Sequence, residues 1–142
     1  MGSHKIVIDT NILVSGLRSA EGASYKLLMA LDDPRLRFYL SVTLVLEYEA
    51  AIKRPATGIR LSAVDKDSIL DYLCQLGVHQ KVHFLWRPFL KDPSDDMVLE
   101  LAVAAGADRI VTFNQADFKG IEKFGVRAVK PQEILKLLGE KP

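Results

Sequence analysis

The stretch Lys5–Asn11, with the sequence KIVIDTN, decides the fold of this chain. An unbroken β-branched run is typical of a strand buried on both faces, as in parallel sheets. The run leads directly into an acid, a hydroxyl and an amide. Because ligands of open α/β sheets bind beyond the carboxyl ends of the strands, Asp9 stands where chemistry is usually done. An Asp here is equally suited to cap the helix that begins near Ile12.

Length and composition predict a single domain that spans residues 1–142. The chain is 49% apolar and 26% charged, and no apolar run approaches the roughly 18 residues of a membrane span. No signal peptide is recognised, and residues 1–4 are interpreted as a cloning remnant. With Cys74 as the single cysteine, an internal disulfide and a cysteine-rich metal site are excluded. We therefore expect a cytoplasmic protein with no membrane contact.

The net charge of +1 is not the electrostatic footprint of a nucleic-acid-binding protein. It does not exclude nucleic acid either, because acids that hold a divalent metal ion present phosphate with a local positive charge.

Strand and helix patterns alternate along the chain. Apolar runs predict strands over Lys5–Ile8, Leu36–Ser41, Arg109–Thr112 and Val126–Val129, and a less regular extended segment over Val78–Leu85. Helical periodicity predicts helices over Ile12–Leu17, Ala23–Leu31, Val42–Arg54, Ser62–Leu76 and Met97–Gly106, and from Pro131 onward. This alternation is typical of an α/β fold with a mainly parallel sheet.

The acidic segment Asp92–Asp96 opens one of these helices. Asp92 precedes a proline and is suited to cap the helix, and Asp95 is interpreted as first-turn charge against the helix dipole. Asp96 is followed by Leu99 and Ala102 at helical spacing, which predicts that its side chain faces inward. A carboxylate that faces inward needs a partner or a metal ion.

Polar side chains therefore collect at one edge of the predicted sheet. They are Asp9, Glu47, Asp96, Asn114 and Asp117. Taken alone, Glu47 fits a solvated helix position better than a ligand position. Carboxylates brought together repel one another, and a hard divalent cation such as Mg²⁺ or Mn²⁺ relieves the repulsion. The chemistry that follows is hydrolysis of a phosphodiester.

Four segments carry a family resemblance, and they occur in the family's order over nearly the whole chain. They are Ile8–Leu13, Ser41 with Glu47, Asp92–Asp96 leading into Leu99–Ala102, and Ile110–Phe118. With these segments the sequence resembles PIN-domain proteins, and among them the toxins of bacterial and archaeal toxin–antitoxin pairs. The resemblance implies a three-layer α/β/α sandwich around a parallel sheet and metal-dependent cleavage of single-stranded RNA.

The resemblance also implies roles for individual residues. Asp9, Glu47 and Asp96 match the family's metal-binding acids. Asn114 stands at a fourth position that is often Asp, which removes one negative charge. Asp117 either supplies that charge or caps the following turn. The resemblance further implies hydrogen-bonding support from Thr10, Asn11, Ser41 and Thr112.

A toxin role implies a cognate antitoxin that covers the acidic site, and a homodimer. Basic residues near the expected site are candidates for phosphate contact or simply solvated charges: Arg18, Lys53, Arg54, Arg87 and Lys91.

Two classes of protein compete with a nuclease: another aspartate-based phosphotransfer enzyme, and a binding module. Haloacid-dehalogenase-type phosphatases need a second Asp where this chain has Asn11, and a receiver domain needs a phospho-acceptor Asp where the second strand ends in Ser41. A PIN fold that acts only by binding protein or RNA remains open, although Asp9, Glu47 and Asp96 argue against it.

Overall fold

The computed structural model describes residues 3–83 and 88–139. Its central strand is β1 (His4–Ile8), which pairs in parallel with β2 (Leu36–Leu40) on one side and β4 (Arg109–Val111) on the other. Lys5 stands opposite Arg37, and Val7 opposite Ile110. The KIVIDTN stretch therefore supplies the middle strand, and its prediction as a strand of a parallel sheet is confirmed.

Two short outer strands complete the sheet. β3 (Val78–His79) pairs with β2, and β5 (Arg127–Val129) pairs with β4, so the five parallel strands run in the order β3-β2-β1-β4-β5. The extended segment predicted over 78–85 was too long, because β3 ends at His79 and residues 84 and 85 lie outside the described residues. His4 opens β1 opposite Leu36, and the interpretation of residues 1–4 as a cloning remnant stays a prediction.

Helices connect the strands. They are α1 (Thr10–Arg18), α2 (Ala23–Met29), α3 (Val42–Lys53), α4 (Ala63–Leu76), α5 (Pro93–Ala105) and α6 (Pro131–Leu137), with 3-10 turns at Pro55–Thr57, Gln115–Phe118 and Ile121–Phe124. Helix α1 contacts α2 and α3, α3 contacts α4, and α2 contacts α6. Helix α5 packs on β1, β2 and β4. The predicted α/β/α sandwich is confirmed.

The core lies along the central strand. Ile6 and Val7 are both fully buried although they point to opposite faces of the sheet, so both faces are covered. Burial of each such side chain contributes about 1.5–3 kcal/mol to stability. Among residues 3–83 and 88–139, no helix is both long and apolar enough to cross a bilayer.

Side-chain caps define where three of the helices begin. Ser62 caps α4 by accepting a hydrogen bond from Asp65 N at 3.1 Å. Ser41 Oγ caps α3 by accepting from Leu44 N at 3.1 Å, and Asp92 caps α5 by accepting from Ser94 N at 2.8 Å. The helices that carry the acidic residues therefore begin at defined points beside the sheet.

Candidate active site

Asp9 lies at the carboxyl end of β1 and caps α1. Its Oδ1 accepts a hydrogen bond from Thr10 N at 2.8 Å, and its Oδ2 accepts from Thr112 Oγ1 at 2.7 Å. Only 8% of Asp9 is exposed. Capping of α1 by Asp9 is therefore compatible with a role in the site. Oδ1 caps the helix, while Oδ2 accepts a hydrogen bond from Thr112, which follows β4.

Thr112 and Asn11 surround Asp9 with further hydrogen bonds. Thr112 is fully buried, and its Oγ1 accepts from Asn114 N at 3.0 Å while donating to Asp9. Asn11 Nδ2 lies 3.4 Å from both Asp9 Oδ2 and Thr112 Oγ1. The loops after β1 and β4 are thereby tied together at the carboxylate of Asp9.

Burial raises the pKa of Asp9 above its ordinary value. The hydrogen bonds from Thr112 and Thr10 lower the pKa in part, while the charges of Asp117 and Asp92 raise it again. A carboxylate held in this environment gains stability when a cation comes near it.

Glu47 reaches the same region from α3. Burial raises its pKa, and the charges of Asp9 and Asp92 add to the rise, while the nearby hydroxyls of Ser94 and Thr10 lower it. Neither Glu47 Oε2 nor Thr10 Oγ1, both buried atoms, has a hydrogen bond of acceptable geometry to any part of the chain that the structure describes. Glu47 is therefore half-buried rather than fully solvated, and its carboxylate lies close enough to Asp9 and Asp92 for their charges to act on it.

Asp95 lies at the centre of the acidic set, which sequence reasoning missed. The pKa of Asp95 is raised to about 6, first by burial and then by the charges of Asp9, Asp92, Asp117 and Glu47. Its assignment as charge against the helix dipole was incomplete, since that position in the first turn of α5 also turns the carboxylate toward the end of β1. We refer to Asp9, Glu47, Asp92, Asp95 and Asp117 as the acid set.

Asp96 has a different environment from its neighbour. Its inward orientation is confirmed, with 4% of the residue exposed. However, Asp96 Oδ1 accepts hydrogen bonds from Phe89 N and Leu90 N, each at 2.9 Å. The inward-facing carboxylate of Asp96 therefore binds two backbone amides of the loop before α5. A metal-ligand role for Asp96 stays a prediction, and this contact does not favour it.

Asp92 and Asp117 complete the set from exposed positions. Asp92 caps α5, as predicted, and its charge also raises the pKa of Asp9, Glu47 and Asp95. Asp117 lies in the 3-10 turn after β4, and its charge raises the pKa of Asp9 and Asp95. Asp117 therefore adds negative charge near Asp9 and Asp95, and its role in the site stays a prediction.

Ser41 and Tyr48 act on the site through α3. Ser41 is buried and caps α3. It therefore supports the site by defining the start of the helix that carries Glu47. Tyr48, next to Glu47, is almost fully buried and donates its hydroxyl hydrogen to the carbonyl oxygen of Ile8. Burial raises the pKa of Tyr48 well above its ordinary value, so it remains a donor. This tie between α3 and β1 had no signal in the sequence pattern.

Two clefts border this region. The first, the acid cleft, has a volume of about 430 Å³ and is lined by Phe89, Leu90, Lys91, Asp92, Asp95, Ala116, Asp117 and Lys119. The second, the arginine cleft, has a volume of about 440 Å³ and is lined by Thr10, Asn11, Val14, Ser15, Arg18, Ala51, Arg54, Thr57, Phe113 and Asn114. Asn114 thus lines the arginine cleft, while Asp117 lines the acid cleft.

The predicted basic residues are divided among different environments. Lys53 pairs with Glu49 at 3.2 Å and Asp67 at 3.1 Å, so its charge is already satisfied. Lys91 lines the acid cleft, and Arg18 and Arg54 line the arginine cleft. Arg87 lies outside the described residues.

The donors of the acid set suit a hard divalent cation. Carboxylate and hydroxyl oxygens are the ligands that Mg²⁺ and Mn²⁺ prefer. Glu47 Oε2 and Thr10 Oγ1 have no hydrogen-bond partner among the described residues, and the acids around Asp95 repel its charge; a bound cation would relieve both. In residues 3–83 and 88–139, no three His, Cys, Asp or Glu side chains converge closely enough to hold an ion by themselves. The residues therefore fit an ion that keeps some of its water, as Mg²⁺ commonly does.

Comparison with known proteins agrees with this fold. The PIN domain family model matches residues 5–116, so the chain belongs to the PIN domain family. Proteins of this family are generally nucleases, and those nucleases generally use divalent metals. No curated protein sequence is significantly similar to the chain.

Solved structures with the same fold are distant in sequence. The chain is similar to a chain in the crystal structure of VapBC2 from Rickettsia felis bound to a DNA fragment from their promoter, with a TM-score of 0.59, 17% identity, and coverage of 89% of this chain and 98% of that one. It is also similar to a PilT N-terminus domain protein from the archaeon Sulfolobus solfataricus P2, with a TM-score of 0.54, 20% identity, and coverage of 94% and 92%.

Proposed function

We propose that this protein is a Mg²⁺- or Mn²⁺-dependent endoribonuclease that hydrolyses phosphodiester bonds of single-stranded RNA. The observation that carries the proposal is the acid set at the end of β1, where buried Asp9 is held by Thr112 and Thr10 at 2.7 and 2.8 Å and four other acids act on Asp95, whose pKa is raised to about 6. Such repulsion is tolerated in a folded protein when a cation binds. Membership of a family of nucleases adds the reaction type.

In the proposed mechanism, one or two of Asp9, Glu47 and Asp95 would bind the ion directly, and the other acids of the set would bind it through its water molecules. The ion would polarise a phosphoryl oxygen and lower the pKa of a bound water. Thr112 and Thr10 fix both oxygens of Asp9, at 2.7 and 2.8 Å, so that this carboxylate keeps its orientation when substrate binds. Here Asp95 replaces Asp96 as the third acid, because Asp96 Oδ1 is occupied by the loop amides.

The remaining site predictions have supporting roles in this proposal. Asn11 stabilises the pair Asp9–Thr112, and Ser41 sets the start of α3. Asn114, whose side chain carries no charge, is assigned to the substrate rather than to the ion. Glu47 Oε2, which is buried and free, is the atom that accepts a hydrogen bond from the attacking water or binds the ion directly.

We further propose that the protein is the toxin of a toxin–antitoxin pair and acts in the cytoplasm. The structural similarity to a chain of a VapBC2 complex supports this role. An apolar groove of about 320 Å³, lined partly by Leu17, Met29 and Tyr72, offers a surface for an apolar segment of the antitoxin. Homodimer formation is part of the same proposal, and sedimentation of the purified protein alone and with its antitoxin tests both associations.

The nuclease activity is tested with a mixed pool of single-stranded RNA, incubated with Mg²⁺, with Mn²⁺ and with EDTA. Asp9→Asn protein, purified in parallel, excludes a contaminating nuclease. The proposal requires metal-dependent fragments from the wild type and none from the variant. Fragments that persist in EDTA, or that the variant also produces, would refute it. A protein that binds RNA but cleaves it under no condition would instead be a binding module.

A further inference from the structure

The arginine cleft shares no lining residue with the acid cleft, yet it lies next to Asp9. Its lining includes Thr10 and Asn11, which directly follow Asp9, and Asn114, whose backbone N–H binds Thr112 Oγ1. A ligand in this cleft therefore lies beside the acid set. At about 440 Å³, the cleft is within the size range of sites that bind small ligands or one unit of a polymer.

Two exposed arginines border this cleft and have no ion pair. Arg18 is in the last turn of α1, and Arg54 follows the end of α3. Neither forms a salt bridge or side-chain hydrogen bond within the described parts of the chain, whereas the adjacent Lys53 pairs with two acids. Guanidinium groups bind phosphate through paired hydrogen bonds, so the free charges of these arginines suit a phosphate ligand.

Phe113 places an aromatic ring in the same cleft. It follows Thr112 directly, its backbone N–H points to Asn11 Oδ1 at 3.4 Å, and 43% of the residue is exposed. Its ring stacks on no other aromatic ring of residues 3–83 or 88–139. An exposed ring next to free arginines is the combination used to bind single-stranded nucleic acid, because any base can stack on its face.

We propose that the arginine cleft binds the part of a single-stranded RNA that adjoins the scissile bond, with one base stacked on Phe113 and flanking phosphates bound by Arg18 and Arg54. This inference rests on the proposed ribonuclease function and names the residues that select its substrate. A base can reach Phe113 only if it is unstacked and unpaired, so this contact favours a single strand over a duplex.

The test measures binding apart from cleavage. A short fluorescein-labelled oligoadenylate is titrated with protein in EDTA, and fluorescence anisotropy gives the dissociation constant. We expect Phe113→Ala to weaken binding about tenfold, as stacking on one ring commonly does, and Phe113→Tyr to restore it to within about twofold. Val64→Ala, which removes an exposed apolar side chain on α4 that lines none of the clefts described above, is the control and leaves binding unchanged.

The arginines are tested by salt dependence in the same assay. Arg18→Ala and Arg54→Ala should each reduce the slope of log K against log salt by about 0.7, the value for one phosphate contact on a single strand. Arg37→Ala removes the same charge from an exposed position on β2 and should reduce the slope much less. Binding that none of the cleft variants changes would assign the cleft to another ligand, such as an acidic peptide, and would overturn the proposal.

Failure of the nuclease proposal and failure of the cleft assignment give different results. If the wild type cleaves no RNA with Mg²⁺ or Mn²⁺, but Phe113 and the arginines still govern oligoadenylate binding in EDTA, the cleft assignment holds without the nuclease. If cleavage is intact and the Phe113→Ala variant binds as well as the wild type, the cleft assignment fails alone. Equal binding of an RNA duplex by the same residues would also contradict it.

Discussion

Asp95 and Asp96 are adjacent in the first turn of α5, yet their carboxylates meet opposite surroundings. Asp95 lies among the charges of Asp9, Glu47, Asp92 and Asp117, which help raise its pKa to about 6. Asp96 Oδ1 instead accepts hydrogen bonds from Phe89 N and Leu90 N, each at 2.9 Å. Neighbouring residues of a helix differ by about 100° in direction, so one acid can serve the site while the other holds the loop.

This difference predicts opposite effects on stability. Asp96→Ala leaves the amides of Phe89 and Leu90 without their acceptor, and because Leu90 is buried we expect a loss of about 2–3 kcal/mol in the free energy of unfolding. Asp95→Ala removes a repelled charge and should leave the stability of the metal-free protein unchanged or higher. Urea unfolding of both variants in EDTA measures the two values. Equal losses in the two variants would contradict the assignment.

The raised pKa of Asp95 predicts how the stability of the metal-free protein depends on pH. Because the folded value of about 6 lies above the ordinary value of 3.8, the unfolded chain releases this proton first as pH rises. The folded state is therefore favoured most below the ordinary value, and this contribution is lost as pH rises through about 6. Asp9 and Glu47, whose pKa values are also raised, act in the same direction.

Thermal unfolding in EDTA across this pH range tests that expectation. The melting temperature should fall with rising pH, and the fall should be smaller in Asp95→Asn. Asp108→Asn, at an exposed acid outside the acid set, serves as the control and should follow the wild type. A melting temperature that rises with pH, or an equal fall in Asp95→Asn, would contradict the environment described for Asp95.

Metal binding should offset the repulsion among the carboxylates of the acid set. An ion that binds only the folded protein stabilises it by about 2.7 kcal/mol when its free concentration is a hundred times its dissociation constant. We expect Mg²⁺ and Mn²⁺ to raise the melting temperature of the wild type near neutral pH, and to raise it much less in Asp95→Asn and Glu47→Gln. An equal increase in all three proteins would show that the ion binds elsewhere.

Tyr48 is expected to hold α3 against the end of β1. Tyr48→Phe removes the hydrogen bond to the carbonyl oxygen of Ile8 and leaves that buried acceptor unsatisfied, which should cost about 1–3 kcal/mol. Tyr39→Phe is the control, because Tyr39 is equally buried but its hydroxyl bonds no described residue. Urea unfolding that gives the same loss for both variants would remove the special role of Tyr48.

Much of the fold follows from local sequence, and the site follows in part. The run before Asp9 predicts the central strand because a strand buried on both faces leaves no polar positions. Asp9, Glu47 and Asp117 are found where the sequence predicts, since each follows or faces a strand end. The inward orientation of Asp96 was predicted correctly, but helical periodicity identifies the inward face and not what lies there, so it did not show that Asp96 Oδ1 accepts hydrogen bonds from two loop amides.

Other features depend on contacts between segments far apart in the chain. The bond from Tyr48 to Ile8 and the three-way contact of Asn11, Thr112 and Asp9 join residues that only the folded chain brings together. Phe113 had no periodic signal, because it lies in the loop after β4. Its exposure beside Arg18 and Arg54 is a property of the tertiary structure alone.

The most direct test of the central claim is the rate at which single-stranded RNA is cleaved, measured as Mg²⁺ is increased, for the wild type, Asp95→Asn and Asp96→Asn. We predict metal-dependent cleavage by the wild type, a loss of at least about a hundredfold in Asp95→Asn, and a rate closer to the wild type in Asp96→Asn, whose amide oxygen still accepts from the loop. Loss of cleavage in folded Asp96→Asn with a normal rate in Asp95→Asn would contradict this account of the site.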